Sequence, residues 1–494
     1  MVALNQTKVK KFLNSDQKIF KGIEKENLRS NPDGKISSNN FPKTLGNYAT
    51  NKFFTLDYSE AHLELVTPVF EDSFELLSFL SDLHSYADRQ IDSDILWNYS
   101  MPPKFKKKYI KLPTFGKTNK SKLAYLYRLG LRNRYGDKMQ STAGIHFNIS
   151  FSDSVIESQQ VNKNKFYLSI CRNFLRLFPL ALRLTGCSPV THKSFLKGRN
   201  FVIDKINDSD FYLPRSTSLR VSRLGYYSEE QEEYFINFNS LSQYLRVIRH
   251  YINVPNKEFK KIPHSKKNLQ QINNGTIQIE SELYNHIRPK ALLGDQRQYL
   301  KLKSEGIEYL ELRSIDLNPY SDIGISINEI HFWELFITLC ALSESKEISD
   351  LESIVIKENI RRAAETGQDC LLIDSFESGQ GEVDIKSLTT SLLDELEKLA
   401  SKLNKDEFYS GMLENFKYRN EEPPAERFIN NLSNQTLAEH VLNLSKKAEN
   451  MISKDNMKIF QEEVELSKKR YDEILSREKV SFEEFLMKYR KEII

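Results

Sequence analysis

Cysteine is scarce in this sequence. There are four cysteines in 494 residues, and none belongs to a Cys-x-x-Cys pair. Widely spaced cysteines in so long a chain argue against a disulfide scaffold and against a thiolate zinc site. They favour a reducing compartment, where thiols stay free. We therefore predict a cytoplasmic protein whose fold does not depend on disulfide bonds.

Long apolar runs are also missing. The first twenty residues are polar and rich in lysine, unlike a secretory signal. The most apolar span, Tyr167–Gly186, contains Arg172, Arg176 and Arg183. Because each arginine near the centre of a bilayer costs about 3 kcal/mol, this span should not cross a membrane. No membrane partner is expected.

The common phosphate-binding motifs are absent as well. The sequence contains neither GxxxxGK[ST] nor a GxGxxG that follows a strand. The net charge is +4, from 71 basic and 67 acidic residues, and so small an excess does not indicate a nucleic-acid-binding protein. The lysine-rich stretch over residues 102–122 is interpreted as solvated surface, with an electropositive lip beside an anion-binding site as the functional alternative.

Two kinds of periodicity divide the chain. Up to about residue 340, segments with apolar residues at every second position alternate with helical patterns, which predicts half-buried strands among helices. The predicted strands are Phe53–Asp57, Leu63–Val66, Ile145–Ser150, Ile277–Tyr284 and Ile307–Asp316, and the predicted helices are Phe74–Asp88, Lys165–Leu184, Ser387–Leu403 and an amphipathic stretch over Met457–Tyr489. We predict an α+β fold, with a catalytic core over residues 1–340 and a helical C-terminal region over residues 341–494 packed on it.

Acidic residues recur in the strand-like segments. They are Glu24, Glu26, Asp57, Glu60, Glu64, Glu280, Glu282, Glu308 and Glu311. On a strand, residues two apart project from the same face, so Glu24 with Glu26, and Glu280 with Glu282, would each place two carboxylates side by side. Such pairs repel unless a cation lies between them, and Mg²⁺ prefers oxygen ligands. A site for several magnesium ions is one interpretation, and the solvated faces of ordinary strands are the other.

Basic and aromatic residues accompany the acidic ones. Arg313 follows Glu311 by two residues and should share its strand face. A guanidinium group suits a carboxylate or phosphoryl group, because it binds both oxygens at once. The other candidates are Arg220, Arg288, Lys290, His146, Tyr127 and Tyr226. Each also has an ordinary structural interpretation, as a paired cation, a strand histidine or a packing tyrosine.

Six strings, which follow one another between about Gly22 and Asn318, resemble the glutamate–cysteine ligase family of the proteobacterial type. They are GIEKENLR, LDYSEAHLELVTP, GLRNRYGDKMQSTAGIHFNIS, STSLRVSRLGY, IQIESELYNHIRPK and GIEYLELRSIDLNP. The resemblance implies a fold similar to the catalytic domain of glutamine synthetase, with a curved, mostly antiparallel sheet that forms a funnel-shaped site. It implies ligation of the γ-carboxylate of glutamate to cysteine through a γ-glutamyl phosphate made with ATP, the first step of glutathione biosynthesis.

The resemblance also implies roles for single residues. Mg²⁺, or Mn²⁺ in its place, would be bound by Glu24, Glu26, Asp57, Glu64, Glu282 and Glu311. Arg313, Arg220 and His146 would act in catalysis, and Tyr127, Tyr226 and Arg128 would bind substrates, with the two tyrosines at the cysteine. The ligands would be glutamate, cysteine and ATP, without nucleic acid. A monomeric enzyme with feedback inhibition by glutathione is expected.

Two other classes of function stay open. One is another γ-glutamyl ligase, or a guanidino kinase, on the same fold, and only the second substrate separates these from the first interpretation. The other is a nucleic-acid-binding protein that uses the lysines of residues 104–122. Steep salt dependence of binding would distinguish the latter.

Overall fold

A seven-stranded antiparallel sheet organises the structure. The structure is a computed structural model that describes residues 3–232, 235–265, 268–292, 294, 296–374, 381–432, 434–445 and 451–493. Its strands are β1 (Ile19–Ser30), β2 (Phe54–Leu56), β3 (His62–Val66), β4 (Ile95–Trp97), β5 (Ile145–Phe151), β6 (Val190–His192), β7 (Asp204–Lys205), β8 (Asp210–Tyr212), β9 (His264–Ser265), β10 (Asn268–Leu269), β11 (Ile287–Lys290), β12 (Tyr309–Ile315), β13 (Leu371–Ile373) and β14 (Glu382–Asp384). The large sheet has the order β11-β12-β5-β1-β3-β2, and β4 also pairs with β1.

Helices surround this sheet and make up most of the C-terminal part. They are α1 (Gln6–Leu13), α2 (Ser73–Asp88), α3 (Asn119–Tyr135), α4 (Asp153–Ser158), α5 (Lys163–Thr185), α6 (Lys193–Leu196), α7 (Leu241–Asn253), α8 (Gln298–Ser304), α9 (Ile327–Leu342), α10 (Asp350–Thr366), α11 (Ile385–Lys402), α12 (Asp406–Glu421), α13 (Pro424–Leu432), α14 (Leu437–Leu444), α15 (Lys454–Arg477) and α16 (Phe482–Lys491). The mixture of helices with an antiparallel sheet confirms the predicted α+β class.

The two faces of the large sheet differ in chemistry. One face carries Ile23, Phe147 and Leu312, which are 1%, 0% and 0% exposed and belong to the main core together with residues of α5 and α9. The opposite face carries charged side chains, because residues alternate between faces along each strand. Strand register places these charges beside one another, with Glu24 opposite His146, and Glu26 opposite Glu64.

The apolar span with three arginines is helix α5. Its arginines point to loop carbonyls: Arg172 donates to the Phe238 carbonyl at 2.8 Å, and Arg176 donates to the Lys346 carbonyl at 3.1 Å. Each therefore holds a neighbouring segment against the helix. Among the described residues, no helix is long and apolar enough to cross a membrane.

One expectation about secondary structure is wrong, and another gains a boundary. The alternating segment 277–284 is not a strand, because its backbone turns through a short 3-10 helix at Glu280–Glu282. The Glu282 carboxylate accepts the Gln278 N–H at 2.8 Å, so a side chain takes the place of a partner strand. The amphipathic stretch up to Tyr489 is two helices, α15 and α16, and Ser481 caps the second.

The C-terminal helices pack on the N-terminal part. Helix α9 packs against α5 and α12, α15 lies on α2, and α16 lies on α3. Phe460 of α15 is fully buried against Phe54 of β2 and Phe79 of α2. The hairpin β13–β14 interrupts an otherwise helical region.

Candidate active site

A cavity of about 400 Å³ opens over the charged face of the large sheet. Nine of the twelve residues predicted for the site line it, from β1, the segment after β2, β3, β5, β12, α3 and the segment before α7. These residues are Glu24, Asp57, Glu64, Tyr127, Arg128, His146, Tyr226, Glu311 and Arg313. Segments far apart in the chain therefore converge on one cavity.

His146 lies between three carboxylates. Its Nδ1 is 3.1 Å from Glu24 Oε2 and 4.0 Å from Glu311 Oε1, and its Nε2 is 3.3 Å from Glu26 Oε1. Glu26 also accepts the Gly144 N–H at 2.9 Å. The predicted same-face placement of Glu24 and Glu26 is confirmed, because both reach one imidazole ring.

The neighbouring carboxylates repel a negative charge on Glu64. Burial raises the pKa of its carboxyl well above the ordinary value, and the charges of Glu24, Asp57 and Glu26 raise it further. Glu24 behaves in the opposite way: burial is the largest influence and works to raise its pKa, but the hydrogen bond and charge of His146, together with the charge of Lys290, leave that pKa below the ordinary value. The charge of Arg128 lowers the pKa of Glu64, but by less than burial and the neighbouring carboxylates raise it.

Glu311 is surrounded by cations. Arg313 Nη1 lies 3.2 Å from its Oε1, Arg288 Nη1 lies 3.2 Å from its Oε2, and Lys290 Nζ lies 3.7 Å from its Oε1. Although burial works to raise the pKa of Glu311, Lys290 and the two arginines hold it well below the ordinary value. The predicted strand-face pairing of Glu311 with Arg313 is confirmed. On this side of the cavity, three positive charges surround the single negative charge of Glu311, so the wall is electropositive there.

Tyrosines and Arg128 form another part of the wall. The rings of Tyr226 and Tyr284 meet edge to face, with centroids 4.3 Å apart. Burial raises the pKa of Tyr226 to about 12, so its hydroxyl keeps its proton near neutral pH. Arg128 donates to the Leu56 carbonyl at 3.0 Å and also to the Asp57 carbonyl, and it lies over the Phe115 ring at 4.3 Å. Arg128 therefore fixes the backbone beside Asp57.

The other three predicted residues, Glu26, Glu282 and Arg220, are not among those that line the cavity. Glu282 is fully buried and pairs with Arg134 at 2.9 Å, and it also accepts the Tyr135 hydroxyl at 2.9 Å. Both of its oxygens are occupied by protein donors, since the second accepts the Gln278 N–H. The structure does not bring Glu282 to the other carboxylates. Arg220 lines a small void of about 20 Å³ next to the cavity. Its guanidinium donates to the Arg313 carbonyl at 3.0 Å.

Comparison with known proteins decides the family. The family model described as glutamate–cysteine ligase matches residues 2–363. The chain belongs to the glutamate–cysteine ligase family. A glutamate–cysteine ligase of Wigglesworthia glossinidia brevipalpis is 37% identical over 412 residues, which cover 80% of this chain and 81% of that protein. One of Hahella chejuensis is 36% identical over 402 residues, covering 78% and 77%.

One solved structure agrees with the family assignment, and a second shares the fold. The crystal structure of the Francisella tularensis glutamate–cysteine ligase in complex with AMP matches with a TM-score of 0.91 at 26% identity, and the match covers 96% of this chain and 98% of that one. A bifunctional glutathione synthetase of Pasteurella multocida matches with a TM-score of 0.70 at 20% identity, over 89% of this chain and 53% of that one. The second likeness concerns the fold alone.

The structure adds site residues that sequence reasoning missed. Asn148 donates to Glu24 Oε1 at 2.9 Å, and its position two residues after His146 on β5 was a signal for the same face. Gln140 donates to the Tyr284 hydroxyl at 3.0 Å and lines the cavity. Gln140 has no spacing that would have distinguished it, because a segment outside the strands brings it to the site.

The lysine-rich stretch contributes one lysine to the cavity wall. Among its described side chains, Lys120 of α3 lines the cavity. Lys106 and Lys108 lie instead over the Tyr109 ring, at 5.6 Å and 5.2 Å from its centroid. Most of the stretch thus fits the interpretation as surface, and its helical end reaches the site.

Glu64→Gln is expected to stabilise the metal-free protein. A carboxyl whose pKa is raised by folding makes the fold less stable as pH rises from the unfolded pKa through the folded one. Removing that charge should raise the free energy of unfolding by on the order of 1 kcal/mol at alkaline pH, and the gain should vanish at acid pH, where Glu64 is protonated. Denaturation curves with chelator across pH would show this. A variant less stable than the parent at every pH would contradict the electrostatic account of Glu64.

Proposed function

We propose that this chain joins the γ-carboxylate of glutamate to the amine of cysteine, with ATP as the energy source and Mg²⁺ as the metal ion. One observation carries the proposal: in a member of this family, acidic and basic side chains meet in one cavity, with His146 and Arg313 at their junction. The AMP complex of the Francisella tularensis relative supports a nucleotide as one of the ligands.

The donor set of the acidic side fits a divalent ion. Glu24, Glu64 and His146 can each offer a ligand atom within 4.8 Å of the others, and carboxylate oxygens are the ligands that Mg²⁺ prefers. Glu26, Asp57 and Glu311 are the further candidate ligands, and Mn²⁺ is the alternative ion. Glu282 is left out of this set, because Arg134 and Tyr135 already use its charge.

Magnesium, held by Glu24, Glu64 and His146, would supply positive charge that offsets the negative charge of the transferred phosphoryl group. Arg313 and Lys290 would add fixed positive charge at the same place, where a preorganised donor acts most strongly. A free carboxylate has no good leaving group. Transfer of the γ-phosphoryl group to glutamate turns one carboxylate oxygen into part of phosphate, which then leaves when the amine attacks.

Tyrosines are proposed to bind the acceptor. Tyr127 and Tyr226 would pack around the cysteine side chain, and the raised pKa values of both, due to burial, keep their hydroxyls available as hydrogen-bond donors. A wall of aromatic rings also limits the water that could hydrolyse an acyl phosphate. Arg220, which borders the site next to Arg313, is proposed to help hold the carboxylates of the substrates.

Several finer predictions depend on the family resemblance alone. They are the monomeric state and feedback inhibition by glutathione. The cytoplasmic location and the division of the chain near residue 340 also stay predictions, the first from the scarce, widely spaced cysteines and the second from the change in periodicity. Another γ-glutamyl ligase would need the same acidic and basic sides and would differ only in the acceptor.

Release of ADP tests the proposal. We expect it to require glutamate, ATP and Mg²⁺ together, and to rise strongly when cysteine is added, because the amine removes the activated glutamate. Serine, glycine and a guanidine compound in place of cysteine are the control acceptors. Equal rates with and without any amine acceptor would contradict the ligase, and faster turnover with a guanidine would favour the kinase.

A further inference from the structure

His62 lies beside one of the proposed metal ligands without lining the cavity. It begins β3, two residues before Glu64, and its side chain is 0% exposed. Its carbonyl accepts the Asp57 N–H at 3.1 Å, and its own N–H donates to the Ser59 carbonyl at 2.8 Å. These backbone hydrogen bonds make residues 57–62 a tight connection. The connection fixes the Cα positions of Asp57 and His62 relative to each other.

The His62 ring approaches only Asp57 among the carboxylates for which the structure gives a contact. Its Nδ1 is 3.4 Å from Asp57 Oδ2, whereas the Asp57 side chain is 43% exposed towards the cavity. Within the described residues, neither ring nitrogen of His62 has a hydrogen-bond partner. A buried polar group left unpaired costs about 1–3 kcal/mol, so an unpaired histidine ring behind the cavity wall needs a reason.

We infer that His62 is a positioning residue for Asp57: its Nδ1–H holds one carboxylate oxygen so that the other faces the metal ion. The inference rests on the proposed metal-dependent function. Partners of this kind behind ligating groups fix ligand orientation and strengthen ion binding. The 3.4 Å separation closes to a hydrogen bond by a small rotation of the half-exposed carboxylate, and such contacts tighten when ligands bind.

Two substitutions separate positioning from packing. His62→Asn keeps an N–H donor near the place of Nδ1, and His62→Leu keeps a buried side chain of similar bulk without a donor. Binding of Mn²⁺ can be followed by electron paramagnetic resonance, with glutamate and a non-hydrolysable ATP analogue present. We expect His62→Leu to weaken one class of bound Mn²⁺ by about tenfold to hundredfold, and His62→Asn to keep most of the affinity. The Mg²⁺ concentration for half-maximal activity should shift in parallel, with cooperative unfolding retained.

Asp57 must mediate the effect. In the Asp57→Asn background, adding His62→Leu should weaken Mn²⁺ binding no further, because residues that act through one contact are not additive. Unchanged Mn²⁺ affinity in His62→Leu would overturn the inference, and so would equal losses in His62→Asn and His62→Leu. A parent enzyme that binds no Mn²⁺ would instead refute the proposed metal site, which keeps the two failures distinct.

Discussion

Arg313→Lys is expected to lower kcat by about a hundredfold, or about 2.7 kcal/mol of transition-state stabilisation, with little change in KM. Lysine keeps the positive charge but loses the planar fork that can hold two oxygens. In the structure Arg313 is mostly buried, with Nη1 on Glu311 and with Nε lacking a partner among the described residues. The Arg313 side chain lines the cavity, where it can contact the phosphoryl group as charge develops, so the loss of its fork should appear in kcat.

Arg362→Lys is the matched control for this substitution. Arg362 also pairs with carboxylates, Glu358 at 2.9 Å and Glu382 at 2.6 Å, but lies on α10 outside the cavity wall. Its turnover should stay near that of the parent enzyme. If Arg313→Lys raises only the KM for glutamate, then Arg313 binds the ground state, and its proposed action on the transition state is wrong.

Glu24→Gln is expected to lower activity by at least about a hundredfold, the usual scale for losing one strong electrostatic contact in an active site. The amide keeps the shape but removes the negative charge that holds His146 and Asn148. Because the missing charge weakens ion binding, added Mg²⁺ should restore part of the activity. Steady-state rates across Mg²⁺ concentrations measure both effects.

Glu282→Gln provides the contrast. The substitution removes the charge of a buried carboxylate. This carboxylate pairs with Arg134 and does not line the cavity. This variant should lose stability, since an uncompensated Arg134 is left buried, while the Mg²⁺ dependence of its remaining activity stays that of the parent. Near-normal turnover in Glu24→Gln, or a shifted Mg²⁺ dependence in Glu282→Gln, would contradict the assignment of ligands.

Strand periodicity predicted the part of the site that depends on local geometry. Glu24 and Glu26 share a face because they lie two apart on β1, and the same rule joins Glu311 to Arg313. The rule failed at Glu282. A segment with alternating apolar and polar residues forms a strand only where a partner strand can accept its backbone hydrogen bonds. There the Glu282 carboxylate bonds to the Gln278 backbone and closes a turn instead.

Other features depend on contacts between distant segments. The pairing of Glu26 with Glu64 follows from the register of β1 against β3, and no spacing in the sequence specifies that register. His62 gave no signal, because an isolated histidine in an apolar segment is usually a core residue. The helices α2 and α5 were predicted well, since long periodic stretches form with little dependence on distant partners.

Transfer of oxygen from glutamate to phosphate tests the central claim most directly. Glutamate labelled with oxygen-18 in its γ-carboxylate is incubated with ATP, Mg²⁺ and cysteine, and the released phosphate is analysed by mass spectrometry. If a γ-glutamyl phosphate forms, one carboxylate oxygen bonds to phosphorus, and the amine attack then breaks its bond to carbon. The account predicts one labelled oxygen in each phosphate and one retained in the new amide. Unlabelled phosphate, formed together with γ-glutamylcysteine, would contradict it.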